Sequence, residues 1–141
     1  MQDTNMLAAM YISQSRIDRS QVDELVSASL SNNYNLGITG GMIFTGRLFA
    51  QVIEGPADAV NNLIDKIALD DRHSGFKILL KEPVAERSYR DWNMGYVILP
   101  FADQAIMPLF EDDYSPAQVA KLRQILLTSI QRSHNLDCMP R

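Results

Sequence analysis

The sequence predicts an α+β fold of the ferredoxin-like type, in which a β-α-β-β-α-β-β order is followed by two C-terminal helices. Residues 48–55 form an apolar strand pattern on both faces, which is typical of a strand covered on both sides. Two segments, beginning at Val22 and at Val60, carry apolar residues at helical spacing. A short turn at 45–47 indicates a hairpin. We therefore expect one sheet with these two helices on the same face.

Each element has its own local signal. Apolar runs mark the strands, and a serine or a proline marks helix starts at Ser20, Pro56 and Ser115–Pro116. The first two helices end in clusters of asparagine, aspartate and glycine, which favour turns. The predicted strands are 6–13, 38–44, 48–55, 76–80 and 92–99, and the predicted helices run from 20 to the turn at 32–37, from 56 to about 70, from 102 to 111 and from 116 to 133.

An amide interrupts the apolar third strand. Gln51 shares a face with Phe49 and Ile53, and a buried amide without a partner costs about 1–3 kcal/mol. In the ferredoxin-like order the first and third strands are central neighbours, which places Tyr11 beside Gln51, facing the helices. A direct hydrogen bond between them is the simplest interpretation. Joint recognition of a planar, polar ligand is the alternative.

Composition limits the class of protein. The chain has 141 residues, 46% apolar and 21% charged, as expected of one globular domain. A net charge of −4 disfavours non-specific nucleic-acid binding, so no direct nucleic-acid partner is expected. The single cysteine, Cys138, excludes an internal disulfide framework and favours a cytoplasmic setting. The polar start and the lack of a long apolar run predict neither a secretory leader nor membrane association.

Other polar residues have both an ordinary and a functional interpretation. Asn32 and Asn33 suit the turn after a helix, or a ligand with an imide-like edge. Lys66 and Asp70 are four residues apart, so a surface ion pair is the default. No nucleophile elbow, phosphate loop or Cys-x-x-Cys motif is present, and nothing marks the acid pair Glu54 and Asp58 as catalytic. Arg72–His73 suits a phosphate contact, and Trp92 with Met94 suits either the core or a chromophore site.

Together, the motifs of residues 6–99 resemble the BLUF family of blue-light sensors, which bind flavin, usually FAD, without a covalent bond. The resemblance implies a flavin-binding domain at 1–100 and a helical extension at 101–141 that packs on the sheet or on a partner. The motifs are Tyr11-x-Ser-Gln, Asn32-Asn33-x-x-x-Gly37-Ile38-Thr39-Gly40, Phe49-x-Gln51-x-x-Glu54-Gly55, Asp70-x-Arg72-His73 and Trp92-x-Met94.

The resemblance also implies roles for individual residues. Tyr11 matches the donor of an electron and a proton to the excited flavin, and Gln51 the glutamine between that tyrosine and the flavin. Leu25 and Ile67 match the aliphatic pair that sandwiches the ring. Because Lys66 stands where some members carry arginine, FMN and riboflavin are further candidates. The other implied flavin contacts are Ser29, Asn32, Asn33, Lys66, Asp70, His73 and Met94, and Trp92 with Met94 forms the pair whose position changes on signalling.

The implied function is that of a sensor and not of an enzyme. Light drives transfer from Tyr11, the hydrogen bonds of Gln51 change, the flavin absorption shifts to the red, and the signal passes through the C-terminal helices to a separate signalling protein. A homo-oligomer is expected. Two alternatives are a small ferredoxin-like enzyme with a glutamine, tyrosine and histidine site, and a light-independent interaction module.

Overall fold

The computed structural model describes residues 5–137, and side chains for residues 5–133. Cys138 lies outside the described residues. Within them, no helix combines the length and apolar character needed to cross a bilayer. The elements are β1 (Met6–Ser15), α1 (Arg19–Leu36), β2 (Thr39–Phe44), β3 (Leu48–Pro56), α2 (Ala57–Ala68), β4 (His73–Pro83), β5 (Gly95–Ile98), α3 (Asp103–Ile106) between two 3₁₀ turns (Pro100–Ala102 and Met107–Phe110), and α4 (Pro116–Asp137).

The five strands form one sheet in the order β4-β1-β3-β2-β5. β1 is antiparallel to both β3 and β4, β2 is antiparallel to β3, and β5 is parallel to β2. This order confirms the ferredoxin-like prediction, with β5 added at the edge. The register pairs Tyr11 of β1 with Gln51 of β3, as predicted from the central position of both strands.

Strand β3 is buried on both faces. Phe49 and Ile53 belong to apolar clusters that include residues of α1 and α2. Leu48, Ala50 and Val52 belong to the larger cluster on the opposite face, which includes residues of α4. The alternation predicted from the sequence is therefore correct, and it places Gln51 on the face of α1 and α2.

Helix α4 covers the second face of the sheet. Its start is capped reciprocally, because the Gln118 N–H donates to Ser115 Oγ at 3.3 Å and the Ser115 N–H donates to Gln118 Oε1 at 2.7 Å. Close approach near its end requires glycine, since a Cβ at Gly95 would lie 2.5 Å from Ile130 Cγ2. The helix residues that enter the core are Val119, Leu122, Leu126 and Ile130.

Several predicted boundaries are wrong for identifiable reasons. Asp18, not Ser20, caps α1, because its carboxylate accepts from the Gln21 N–H while the Gln21 side chain accepts from the Asp18 N–H. Pro56 ends β3, so α2 begins one residue later. The predicted helix at 102–111 is broken into α3 and flanking 3₁₀ turns, because Pro108 has no N–H for an α-helical bond. β1 and β4 are longer than predicted, and β5 begins at Gly95 rather than Trp92.

Leu126→Ala is expected to destabilise the protein by about 2–5 kcal/mol, because a fully buried side chain between α4 and the sheet is replaced by a cavity. Lys121→Ala, on the exposed side of the same helix, is the control and should change stability little. Urea unfolding followed by circular dichroism measures both. Equal midpoints for the two variants would mean that α4 does not pack on the sheet.

Candidate functional site

A cavity of about 260 Å³ opens between α1, α2 and the sheet. Every residue predicted from the resemblance to contact flavin lines it: Tyr11, Leu25, Ser29, Asn32, Asn33, Gln51, Lys66, Ile67, Asp70, His73 and Met94. Leu25 on α1 and Ile67 on α2 contribute aliphatic surface from the two helices. Arg72, for which a phosphate contact was one interpretation, also lines the cavity. The remaining lining residues, which had no predicted role in the site, are Val26, Ala28, Met42, Phe49 and Leu63. The strand alternation that placed Gln51 on this face also places Phe49 there.

Gln51 connects two side chains at the base of this cavity. The Tyr11 hydroxyl donates a hydrogen bond to Gln51 Oε1. At the other end of the amide, Gln51 Nε2 donates to Met94 Sδ at 3.4 Å. The expected bond between Tyr11 and Gln51 is therefore present. The second partner is a thioether, which is a weak acceptor, so the two ends of the amide are held with unequal strength.

Tyr11 is held as a neutral phenol. Burial, with a smaller contribution from the negative charge of Asp70, raises the pKa of Tyr11 well above its ordinary value. Its ring packs against Phe76 with centroids 4.9 Å apart and meets the His73 ring edge-on at 6.2 Å. Apolar surroundings thus disfavour the phenolate, and the proton stays on the oxygen that faces Gln51.

Alkaline titration is expected to leave the two buried tyrosines and the half-buried Tyr96 protonated beyond the ordinary tyrosine pKa of about 10. Burial raises the pKa of Tyr11 and Tyr89 strongly, and burial with the charge of Asp23 raises the pKa of Tyr96 to about 12. As the pH rises above about 10, the unfolded chain releases protons that the folded chain keeps, so the free energy of unfolding falls. Phenolate absorbance followed with circular dichroism tests this. Ionisation of all five tyrosines near pH 10 in a folded chain would contradict it.

His73 ties β1 to the end of α2. Its Nε2 lies 2.6 Å from the main-chain oxygen of Ile67, and its Nδ1 lies 2.7 Å from Ser13 Oγ. Because a carbonyl only accepts, Nε2 carries the proton, and in the neutral ring the Ser13 hydroxyl donates to Nδ1. His73 therefore fixes the helix end that carries Ile67, in addition to lining the cavity.

The predicted ion pair between Lys66 and Asp70 is not formed. α2 ends at Ala68, so Asp70 lies beyond the helical face on which four-residue spacing brings side chains together. Asp70 instead pairs with Arg72, whose Nε lies 2.9 Å from Oδ1, and hydrogen bonds from Arg72 lower the pKa of Asp70 to about 2. Lys66 has no carboxylate partner within residues 5–133. Lys66 and Arg72 therefore both line the cavity, but only the charge of Arg72 is neutralised by a carboxylate.

Asn33 links α1 to the segment before β5. Its side chain is only 2% exposed, and its Nδ2 donates to the main-chain oxygen of Asn93 at 2.8 Å. Asn93 in turn donates from Nδ2 to the main-chain oxygen of Ile38 at 2.9 Å. The helix cap is Gly37, in the left-handed conformation at φ 70°, so Asn33 and Asn32 both belong to α1 rather than to a turn. Asn93 thus connects α1 to the residue before β2, and no sequence pattern pointed to this role.

Trp92 and Met94 lie on opposite sides of the sheet, which corrects their predicted placement on one strand face. Met94 is 6% exposed and lines the cavity beside Gln51. Trp92 packs against the core under α4, with its ring 6.4 Å from that of Tyr89. Strand alternation does not apply to either residue, because β5 begins only at Gly95. The structure therefore places Met94, and not Trp92, in the cavity.

The sequence of residues 6–95 matches the family BLUF, sensors of blue light using FAD. The match covers most of the chain. This chain belongs to the BLUF family. The match confirms the family, the ferredoxin-like α+β fold and the flavin class of cofactor predicted from the sequence motifs.

Relatives of this BLUF chain include both long and short proteins. A photoactivated adenylate cyclase subunit beta of Euglena longa is 34% identical over 95 residues, 65% of this chain and 11% of that protein. The chain thus spans only about a tenth of the curated relatives it matches. The dark-state structure of BlrB, a BLUF protein, superposes with a TM-score of 0.75 at 29% identity and covers 89% of this chain and 98% of that one. Klebsiella pneumoniae BlrP1 with FMN and cyclic diGMP gives a TM-score of 0.61 at 32% identity, over 83% of this chain and 30% of that one.

Proposed function

We propose that this BLUF chain is a blue-light sensor, not an enzyme, and that it binds FAD non-covalently in the cavity between α1 and α2. The observation that carries the proposal is the hydrogen-bonded chain Tyr11–Gln51–Met94 inside a cavity with apolar walls. A phenol, an amide and a thioether joined in this way offer a proton donor and a group that can exchange donor for acceptor.

The lining residues fit a flavin. Leu25 and Ile67 supply aliphatic surface for the two faces of a flat ring, and the amides of Asn32 and Asn33 suit its polar edge. Ligand sites combine mostly apolar walls with a few convergent polar groups, and pockets for drug-sized ligands begin at about 300 Å³. The cavity, of about 260 Å³, lies near the lower end of this range and combines aliphatic walls with the amides of Asn32, Asn33 and Gln51. Lys66, which has no carboxylate partner within residues 5–133, provides positive charge for a phosphate, so FAD is preferred over riboflavin.

When bound, FAD would supply the light-absorbing group and the acceptor for an electron and a proton, which would return to Tyr11 as the excitation is lost. Tyr11 is the donor of both in this proposal, because it is a buried, neutral phenol that lines the cavity proposed for the flavin ring. Gln51 is the switch. Turning its amide would replace the Tyr11 bond to Oε1 by one to Nε2 and place Oε1 against Met94, which offers no donor. That mismatch would favour a thermal return to the dark arrangement.

The output runs from the cavity to β5 and α4. Met94 and Asn93, which contact Gln51 and Asn33, immediately precede β5, and β5 packs against α4. A change at Gln51 therefore reaches the second face of the sheet through one short segment. We propose that a separate signalling protein, or a second copy of the chain, reads this change at α4.

Absorption spectroscopy tests the function. The purified chain is expected to be yellow, to release FAD on denaturation, and to show a flavin spectrum that shifts to the red under blue light and returns in darkness. Reconstitution with FMN and riboflavin at equal concentration tests the preference for phosphate. A chain that takes up no flavin, or whose bound flavin does not respond to light, would overturn the proposal.

A further inference from the structure

Glu54 is a buried acid outside the cavity. It lies on β3, three residues after Gln51, and is 1% exposed. Its Oε2 accepts from the main-chain N–H of Ser88 at 3.0 Å, and its Oε1 accepts from the main-chain N–H of Tyr89 and from Thr39 Oγ1. Burial of a charged group is costly unless hydrogen bonds satisfy it, and here both oxygens are satisfied. Two of the three donors are main-chain groups of the loop that joins β4 to β5.

That loop carries the groups that close the base of the cavity. Beyond Tyr89, the main-chain oxygen of Trp92 accepts from the Gly40 N–H at 3.0 Å, and the main-chain oxygen of Asn93 accepts from Asn33. Met94 then reaches Gln51. The segment 88–94, here called the Met94 loop, therefore has Glu54 at its beginning and Gln51 at its end, both on the same strand.

We infer that Glu54 is a positioning residue that holds the Met94 loop so that Met94 lies on Gln51 and Tyr89 lies under α4. The Tyr89 ring occupies space that glycine leaves open in β2, since a Cβ at Gly41 would be 2.9 Å from Tyr89 Cε2. The same loop thus contacts the cavity on one face of the sheet and the α4 core on the other. The consequence for the light response rests on the proposed function, whereas the anchoring of the loop does not.

The chemistry requires glutamate at this position. Each carboxylate oxygen serves one main-chain N–H, so an amide in its place offers one acceptor and opposes the other N–H with a donor. Aspartate is one methylene shorter, which would draw the carboxylate away from both N–H groups. Leaving one buried N–H without an acceptor should shift the equilibrium between the held and the released Met94 loop roughly tenfold toward release. Glu54→Gln is therefore expected to release the Met94 loop without leaving a cavity.

Trp92 reports on the loop directly, because it is the single tryptophan of the chain. Acrylamide quenching of its fluorescence, measured on the full chain without flavin, should be stronger in Glu54→Gln than in wild type. Glu86→Gln is the matched control, with the same change at an exposed acid just before the loop. Quenching that is equal in the two variants would overturn the anchoring. If Glu54→Gln does not fold, Thr39→Val is measured in its place, because it removes one of the three hydrogen-bond donors to the Glu54 carboxylate. Acrylamide quenching of Trp92 must then also be stronger than in wild type.

The light response tests the consequence for Gln51. With flavin loading matched, Glu54→Gln is expected to return to the dark spectrum roughly tenfold more slowly than Glu86→Gln, because the dark arrangement loses the Met94 contact. Increased quenching with unchanged recovery would overturn the positioning role. If wild type itself shows no light response, the proposed function fails, and the quenching result still decides whether Glu54 anchors the loop.

Discussion

Tyr11→Phe is expected to fold and bind flavin like the wild type but to lose the light-induced red shift completely. The ring that packs against Phe76 is retained, and only the hydroxyl that donates to Gln51 Oε1 is removed. Because Tyr11 is the one tyrosine among the cavity-lining residues of the described part of the chain, no second phenol there replaces the lost donor. Absorption spectra before and after blue light, at matched flavin loading, measure the effect.

Tyr34→Phe is the matched control for this experiment. Tyr34 is 73% exposed on α1 and lies outside the cavity, so the same substitution there should leave the full red shift. A normal shift in Tyr11→Phe would remove Tyr11 from the photochemistry. Loss of the shift in both variants would mean that it responds to general damage and not to the Tyr11 hydroxyl.

Gln51→Leu is expected to abolish switching and also to reduce stability. Leucine fills a similar volume but leaves the buried Tyr11 hydroxyl without its acceptor, at a cost of about 1–3 kcal/mol. The flavin cavity keeps its aliphatic walls, so flavin should still bind. Illumination should then give no lasting red shift, because no amide remains to exchange its ends. Urea unfolding measures the stability change and absorption spectroscopy the switching.

Gln104→Leu provides the comparison, since Gln104 is exposed and lies away from the cavity. It should keep both the red shift and the stability of the wild type. A Gln51→Leu chain that shifts reversibly would show that the switch lies elsewhere in the site. Unchanged stability would show that Tyr11 finds another acceptor.

Regular elements made the center of the site predictable from sequence. Strand alternation put Gln51 on the helix face, and the ferredoxin-like order put Tyr11 next to it, since both depend only on periodicity and topology. Helical spacing likewise placed Leu25 and Ile67 on the apolar stripes of the two helices, and both residues line the cavity.

Loops and element ends were not predictable in this way. Trp92 and Met94 were assigned to one strand face, but their sides are set by loop dihedral angles that carry no period. The partner of Asp70 changed because α2 ends two residues earlier. The partners of Glu54 are main-chain N–H groups, which every residue but proline possesses, so side-chain identity at Ser88 and Tyr89 gave no signal.

Rearrangement of the Gln51 amide is tested most directly by light-minus-dark infrared difference spectroscopy on protein labelled with ¹⁵N at the glutamine side chains. Wild type should show amide bands that shift with the label and that appear and decay with the red-shifted absorption. The same bands should be missing in Gln51→Leu and present in Gln104→Leu. A reversible red shift in wild type without any label-sensitive band would contradict the assignment of Gln51 as the switch.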